Sequence, residues 1–377
     1  MKKFIFSLLV SILALSFFVY LPSGQAQNLQ PSFFLRAPGE VAQDLFQKLF
    51  GLNSKEEDYY LLAGMAYFQK GQKARGEELF AQALRVNPKN YKVPLRIGIA
   101  YLKEGNVPKA DEFVQRAMQI KPKEENLYLE AGLAYLQKGL SAKADEMFSK
   151  VYQYDPNDED NYLEIGIGYL QAGKGDKSSE LFEKAIKLKP DRYRTYMKAA
   201  VAYLDASHEQ KAWDMFNRAV AAKPKEENTY QWMAMACLRK GQEARAEELF
   251  SKVVQLDPKD EDNYLDLGEI YAERTKISRA EELFSRAISL APKKENVYLR
   301  AGLALLKAGE TGKAEEYFAN VFRLGPKDED NFIDIGLAFV EKGNFQTAAD
   351  LLAKGFNLKP QKEKLYLKTA LAFLKKS

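Results

Sequence analysis

The sequence predicts an all-α solenoid of nine helix-turn-helix repeats, each 34 residues long, with a half-repeat helix at each end. Three observations support it: prolines recur at a fixed interval, small and aromatic residues recur within that interval, and partial repeats stand before and after the nine full ones. A period of this length is typical of antiparallel helix pairs stacked so that each contacts only its neighbours. The prolines are Pro88, Pro122, Pro156, Pro190, Pro224, Pro258, Pro292, Pro326 and Pro360.

We number the positions of each unit from 1 to 34, with Glu57 as position 1 of unit one. Position 8 is always glycine or alanine, and position 4 is aromatic except in unit two, which has Pro94. Small residues let two helix backbones approach closely, and aromatic side chains fill the space between neighbouring pairs. The residues at position 8 are Gly64, Gly98, Gly132, Gly166, Ala200, Ala234, Gly268, Gly302 and Gly336.

Each unit also contains signals that end its two helices. Glycine or serine stands near position 15, as in Gly71, Gly105 and Ser207, and is expected to end the first helix. Proline at position 32 ends the second helix, because proline cannot continue the hydrogen-bond ladder. We call these two helices A and B.

Small residues at positions 8 and 20, with aromatic residues at positions 4, 11 and 24, resemble the pattern of the tetratricopeptide repeat family. The resemblance covers residues 57–377. It implies a superhelix that binds proteins without catalysis, in which positions 2, 5, 9, 12 and 13 of helix A line the concave face. Family members that grip a carboxylate use Lys and Asn at positions 5 and 9, and these residues are missing here.

The same register divides the whole chain. Residues 27–56 hold a capping helix over 40–50, in which Ala42 and Phe46 fall at positions 20 and 24 of a helix B. Residues 57–362 form nine repeats, and residues 363–377 form a C-terminal capping helix that matches a helix A. We expect two separate covers, one at each end, because each unit otherwise leaves an apolar face bare.

The first 26 residues read as a secretory signal peptide, with Lys2 and Lys3 before an uncharged stretch from Phe4 to Leu21. The alternative is an uncleaved membrane anchor, since this stretch is long for a cleaved segment. Both predict an exported bacterial protein of the periplasm or cell envelope, and the chain touches a membrane only if the segment stays uncleaved.

Composition argues against most catalytic and metal chemistry. The chain has one histidine, His208, and one cysteine, Cys237. It therefore has too few of the residues from which a catalytic triad or a histidine-based metal site is built. We therefore predict a non-enzymatic protein without a cofactor. Charges alternate in sign along the helices, which favours neither nucleic acid nor a polybasic membrane contact. Asp-Glu-Asp clusters such as 158–160 suggest either calcium ligands or helix caps, and we favour caps.

An aliphatic stripe at positions 5, 9 and 12 of helix A is the candidate functional surface. It is either an apolar groove for segments of other proteins or a core between successive A helices. Trp232 at position 6 is an aromatic anchor in the first case and a packing residue in the second. The candidate groove residues are Leu95, Ile99, Leu129, Leu133, Leu163, Ile167, Met197, Val201, Trp232, Leu299 and Leu303.

These features predict an interaction scaffold of the bacterial cell envelope that binds apolar or amphipathic protein or peptide segments in its concave groove. One alternative is a structural scaffold that assembles with itself. Another is an accessory scaffold of a secretion or polysaccharide-export complex, which rests on analogy with other repeat arrays alone.

Overall fold

The computed structural model describes residues 29–52 and 56–377, and within these ranges it is entirely helical, which confirms the predicted fold class. The predicted signal peptide, residues 1–26, lies outside them. Helices α1 (Pro31–Phe34) and α2 (Pro38–Gly51) precede the units. Units one to five are α3 (Glu57–Gln69) with α4 (Lys73–Val86), α5 (Lys92–Lys103) with α6 (Val107–Ile120), α7 (Glu125–Gln137) with α8 (Ser141–Tyr154), α9 (Glu159–Gln171) with α10 (Gly175–Leu188), and α11 (Tyr193–Asp205) with α12 (Glu209–Ala222). Units six to nine are α13 (Glu227–Arg239) with α14 (Glu243–Leu256), α15 (Glu261–Glu273) with α16 (Ile277–Leu290), α17 (Glu295–Ala308) with α18 (Thr311–Leu324), and α19 (Glu329–Glu341) with α20 (Phe345–Leu358), followed by α21 (Glu363–Lys376).

Within a unit, helices A and B pack closely where position 8 meets position 24. A Cβ atom placed on Gly132 would lie 2.5 Å from Cε1 of Phe148, which is closer than such atoms can approach. The phenylalanine ring therefore occupies the space that a side chain at position 8 would fill. Units five and six use Ala200 and Ala234 at this position, and both are fully buried.

The turn between helices A and B requires a left-handed residue at position 15. Seven units place glycine there, with φ between +74° and +99°. Units five and seven instead hold Ser207 at φ 64° and Thr275 at φ 59°. A β-branched residue is strained in this region, because its Cβ approaches the following carbonyl oxygen.

Replacing Thr275 with glycine is therefore expected to raise the free energy of unfolding by about 1 kcal/mol, as the left-handed strain is removed. The reverse change, Gly139→Thr, is the matched control, since an added Cβ at Gly139 has no atom within 4 Å and only backbone strain is introduced. It should lower stability by about 1–2 kcal/mol. Urea unfolding of both variants measures this, and equal effects in the same direction would contradict it.

A hydrogen bond from the tyrosine at position 4 joins five of the numbered units, and α21, to the unit before them. The hydroxyl group of Tyr128 at position 4 donates to the carbonyl of Pro122 at 2.8 Å. At the same two positions, the Tyr162 hydroxyl donates to the Pro156 carbonyl at 3.0 Å. The hydroxyls of Tyr196, Tyr264, Tyr298 and Tyr366 repeat this bond. The tyrosine hydroxyl at position 4 thus provides a hydrogen-bond donor for the carbonyl of the proline that follows helix B of the preceding unit.

The two flanking helices do not form separate covers. Helices α21 and α2 pack against each other as the helix A and the helix B of one unit. A Cβ atom placed on Gly39 in α2 would lie 3.4 Å from the Cβ of Ser377, which follows α21. The Phe34 ring centroid of α1 lies 5.7 Å from that of Phe356 in α20 and 6.2 Å from that of Phe373 in α21. The two half-repeats are present as predicted, but each covers the other. We call the α2–α21 pair the composite unit.

The composite unit closes the array into a ring of ten units. Helix α21 packs against α19 of unit nine on one side and against α3 of unit one on the other. On the unit-one side, the Phe46 and Tyr67 rings lie 5.4 Å apart, and the equivalent Phe148 and Tyr169 rings between units three and four lie 5.6 Å apart. The composite unit therefore takes the place of an ordinary unit between units nine and one.

In the part of the chain described, no helix has the length and apolar character needed to cross a membrane.

Candidate functional site on the inner layer of the ring

The A helices form the inner layer of the ring, because successive A helices pack against one another all round while successive B helices scarcely touch. Positions 5 and 12 point between the A helices. Four predicted groove residues at position 5 are at most 5% exposed, and they are Leu95, Leu129, Leu163 and Met197. Position 12 is buried in all nine units. At these positions the structure supports the core alternative, and these four side chains offer no surface to a partner.

Position 9 is the part of the stripe that stays accessible. Its side chains are half-buried in eight of the nine units. The half-buried members of the predicted groove are Ile99, Leu133, Ile167, Val201, Trp232, Leu299 and Leu303. Partial exposure leaves apolar surface on the inner layer that another chain can contact.

Three of the predicted residues meet in one cavity of about 790 Å³ beside the A helices of units four to six. Ile167 and Val201 line it from position 9, Trp232 lines it from position 6, and Met235 adds a further apolar side chain. The other predicted residues lie on other units or in the core. A cavity of this size is in the range that proteins use to enclose a ligand group or side chains.

The walls of this cavity also carry charge that the sequence analysis did not single out. Lys198, Asp205 and Arg239 line it, at positions 6, 13 and 13 of their units. The Lys198 ammonium lies 3.0 Å from a carboxylate oxygen of Asp160, so its charge is already paired. Among the described residues, no carboxylate forms an ion pair with Arg239. The sequence held one signal for these charges: the residues at positions 6 and 13 change in charge from unit to unit.

An ionic cluster joins the inner faces of units seven and eight. Arg300 at position 6 of unit eight lies 2.6 Å from Glu269 and 2.9 Å from Asp262. Burial disfavours its charge, but hydrogen bonds to Glu269 and Asp266 outweigh this and raise the pKa of the Arg300 guanidinium. Gln231 at position 5 of unit six is polar where most units have an aliphatic residue, and it is buried and donates to the carbonyl of Asn263 at 3.1 Å. The apolar inner surface thus differs between these sectors.

Cys237 and the aspartates of the Asp-Glu-Asp clusters have structural roles. Cys237 is fully buried, and burial raises the pKa of its thiol to about 11, so it packs as an apolar group. Asp158 accepts a hydrogen bond from the backbone N–H of Asp160 at 2.9 Å and caps α9, and Asp260 and Asp328 cap α15 and α19 in the same way. His208 lines the cavity at its position before α12.

Five of the Tyr residues at position 11 form hydrogen bonds to the preceding unit that the sequence did not predict, and they are Tyr101, Tyr135, Tyr169, Tyr203 and Tyr271. The Tyr101 hydroxyl donates to Glu77 at 2.6 Å, and Lys109 lies 3.1 Å from the same carboxylate. The Tyr135 hydroxyl donates to Asp111 in the equivalent place at 2.7 Å. Cys237 lacks a hydroxyl, so unit six does not form this bond.

Comparison with known structures finds helical repeat proteins. The structure of YrrB, described as a tetratricopeptide repeat protein with an unusual peptide-binding site, is 21% identical and covers 50% of this chain and 96% of its own, with a TM-score of 0.30. Yeast Tom70 is 15% identical over 91% of this chain and 96% of its own, with a TM-score of 0.42. Human IFIT1, solved as a dimer with m7Gppp-AAAA, is 18% identical over 90% of this chain and 88% of its own, with a TM-score of 0.34. Similarity at this level bears on neither partners nor curvature.

Family comparison gives a direct assignment. Tetratricopeptide repeat profiles match residues 67–133, 125–158, 163–227, 238–304 and 299–363. No curated protein matches the sequence. The matched segments reach from unit one to the end of unit nine, and they agree with the helix pairs of the structure. The chain therefore belongs to the tetratricopeptide repeat family, whose repeats serve as scaffolds for protein–protein interaction.

Proposed function

We propose that this chain is a non-enzymatic scaffold of the bacterial cell envelope that binds an amphipathic segment of a partner protein in the cavity of units four to six. The observation that carries the proposal is that the half-exposed Trp232 shares one cavity with Ile167, Val201 and Met235. Large aromatic side chains in pockets commonly contribute most of the energy of an interface. A cavity of about 790 Å³ has room for several side chains of a partner.

Charge narrows the kind of segment that fits. Arg239 and Asp205 both line the cavity, and neither side chain forms an ion pair among the described residues. A guanidinium group is satisfied best by a carboxylate, which it can bind with two parallel hydrogen bonds. We therefore expect the partner segment to place apolar side chains over Trp232 and an Asp or Glu side chain against Arg239, directed away from the Asp205 carboxylate.

Selection of binders from a displayed library of amphipathic peptides, using residues 27–377, tests this proposal. Selected peptides should carry an acidic residue beside their apolar face. We expect Trp232→Ala to weaken their binding by roughly thirtyfold, since an aromatic anchor contributes about 2 kcal/mol. Arg239→Glu should weaken acidic peptides by at least about tenfold, because it places like charges together.

Matched controls exist at the same positions of other units. Leu62→Ala changes position 6 of unit one, where the side chain is 37% exposed. Lys103→Glu makes the same type of charge change at position 13 of unit two. Both lie outside the cavity and should leave binding unchanged. Equal losses in the control variants, or binding that survives both cavity variants, would reject this site.

The envelope location is a separate part of the proposal and rests on residues 1–26. The small residues Gly24 and Ala26 favour cleavage before Gln27. Intact-mass measurement of the protein recovered from an expressing cell tests this. A cytoplasmic protein that keeps residues 1–26 would contradict export, and an envelope protein that keeps them would indicate the anchored form.

A further inference from the structure

The composite unit differs from the other nine in its covalent connection. In each numbered unit a short turn joins helix A to helix B, but α2 and α21 come from opposite ends of the described chain. Both helices bury one apolar face. The buried residues of α2 are Val41, Ala42, Leu45, Phe46 and Leu49, and those of α21 are Leu365, Tyr366, Leu367, Thr369, Ala370, Phe373 and Leu374.

Opening the ring would uncover the surfaces that α2 and α21 bury against each other, while the numbered units keep their contacts with one another. Each numbered unit packs only against its neighbours, so opening at the composite unit removes no contact between units two and eight. The complement of the α2 face is an α21 face, and every copy of the chain carries both. An opened chain therefore exposes the α2 surface near one end and the matching α21 surface at the other.

We propose that α2 and α21 are exchangeable, so that α21 of one copy pairs with α2 of a second copy. The contact is then heterologous, since each copy uses a different surface on either side. Two copies that exchange both ends form a larger closed ring, and copies that continue the exchange form a filament. This proposal does not depend on the peptide-binding function proposed above.

Protein concentration decides between the two arrangements. The contacts between α2 and α21 are the same within one chain and between two, so exchange gains no new surface. The ends of one chain meet at an effective concentration of roughly millimolar order, which favours the single-chain ring in dilute solution. Refolding at high concentration gives the second copy a comparable chance to supply the missing helix.

Two single-cysteine variants can detect this exchange. The Cβ separation of 3.4 Å between Gly39 and Ser377 is near the range of about 3.5–4.5 Å found in disulfides. In a Cys237→Ala background, one protein carries Gly39→Cys and the other carries Ser377→Cys. An exchanged composite unit brings the two cysteines together across two chains and so favours a disulfide between the two proteins, whereas random collision links like and unlike chains alike.

Both variants are unfolded in urea, mixed, refolded together and oxidised. At about 1 mM total protein we expect a disulfide-linked dimer with one copy of each as a main product, and at about 1 µM at least tenfold less. Mixing after separate dilute refolding should give little of it. Random oxidation of an equal mixture gives as much mixed dimer as the two homodimers together, so exchange is rejected if the mixed dimer never exceeds that sum.

The double variant Gly39→Cys, Ser377→Cys serves as the control for geometry. Oxidised in dilute solution, it should remain a monomer with an internal disulfide, and afterwards it should give no concentration-dependent oligomers. With this closure observed, the absence of mixed dimers rejects exchange and cannot be ascribed to poor disulfide geometry. If the double variant fails to close internally, the composite unit is itself rejected, and the exchange proposal with it.

Discussion

Replacing Phe373 with alanine is expected to lower the free energy of unfolding by about 3–5 kcal/mol and to loosen both ends of the numbered array together. Phe373 is fully buried in α21, and its ring centroid lies 6.2 Å from that of Phe34 and 6.1 Å from that of Phe345. Removing the ring leaves a cavity in the composite unit. Because α21 contacts units one and nine, a weakened composite unit should uncover both.

Hydrogen exchange along the chain measures this effect. We expect faster exchange in α2 and α3 as well as in α19 and α20, with units four to six protected as in the wild type. The control is Phe250→Ala, the same change at a buried position in unit six. Its loss of protection should centre on units six and seven. If Phe373→Ala loosens unit nine and leaves unit one unchanged, the solenoid is open, with separately covered ends.

Replacing Leu163 with serine should be far more costly than the same change at Ile167, four residues away on α9. Leu163 is fully buried, so the change removes core packing and leaves a hydroxyl in an apolar place. We expect a loss of at least about 3 kcal/mol. Ile167 is half-buried on the cavity wall, and its replacement should lower stability by about 1 kcal/mol.

Urea unfolding monitored by circular dichroism gives the stability of each variant, and binding of the selected peptides gives the second measurement. Ile167→Ser should weaken peptide binding while the fold persists, and Leu163→Ser should mainly lower the unfolding midpoint. If Leu163→Ser weakens peptide binding without lowering stability, position 5 belongs to the binding groove and the core interpretation is wrong. The m-value needs to be compared as well, since repeat arrays can lose cooperativity.

Most of the helical organisation could be predicted from residues close together in sequence. Proline at position 32, glycine at position 15 and the small residue at position 8 act within one unit, and the structure places helix ends and close helix approach at these positions. The same register also located a helix B before unit one and a helix A after unit nine. These features are predictable because backbone conformation and packing within a unit depend on local spacing.

The candidate site was predicted only in part. The resemblance placed positions 5, 9 and 12 together on the concave face, but the structure buries Leu95, Leu129 and Met197 and leaves Ile167 and Val201 accessible. The distance between successive A helices decides which of these positions is covered, and it depends on contacts between units. For the same reason, the sequence did not identify the cavity, or that Arg239 lies there with no ion-pair partner among the described residues.

By itself, the sequence determined the repeat, its helices, its turns and the two unpaired half-repeats. Only the tertiary structure decided that the half-repeats meet and that the array forms a ring of ten units. The curvature of a solenoid is the sum of small rotations between neighbouring units, and a small difference in each accumulates over the array. Whether residues as far apart as Gly39 and Ser377 come into contact depends on that sum, to which each interface contributes through its own side chains.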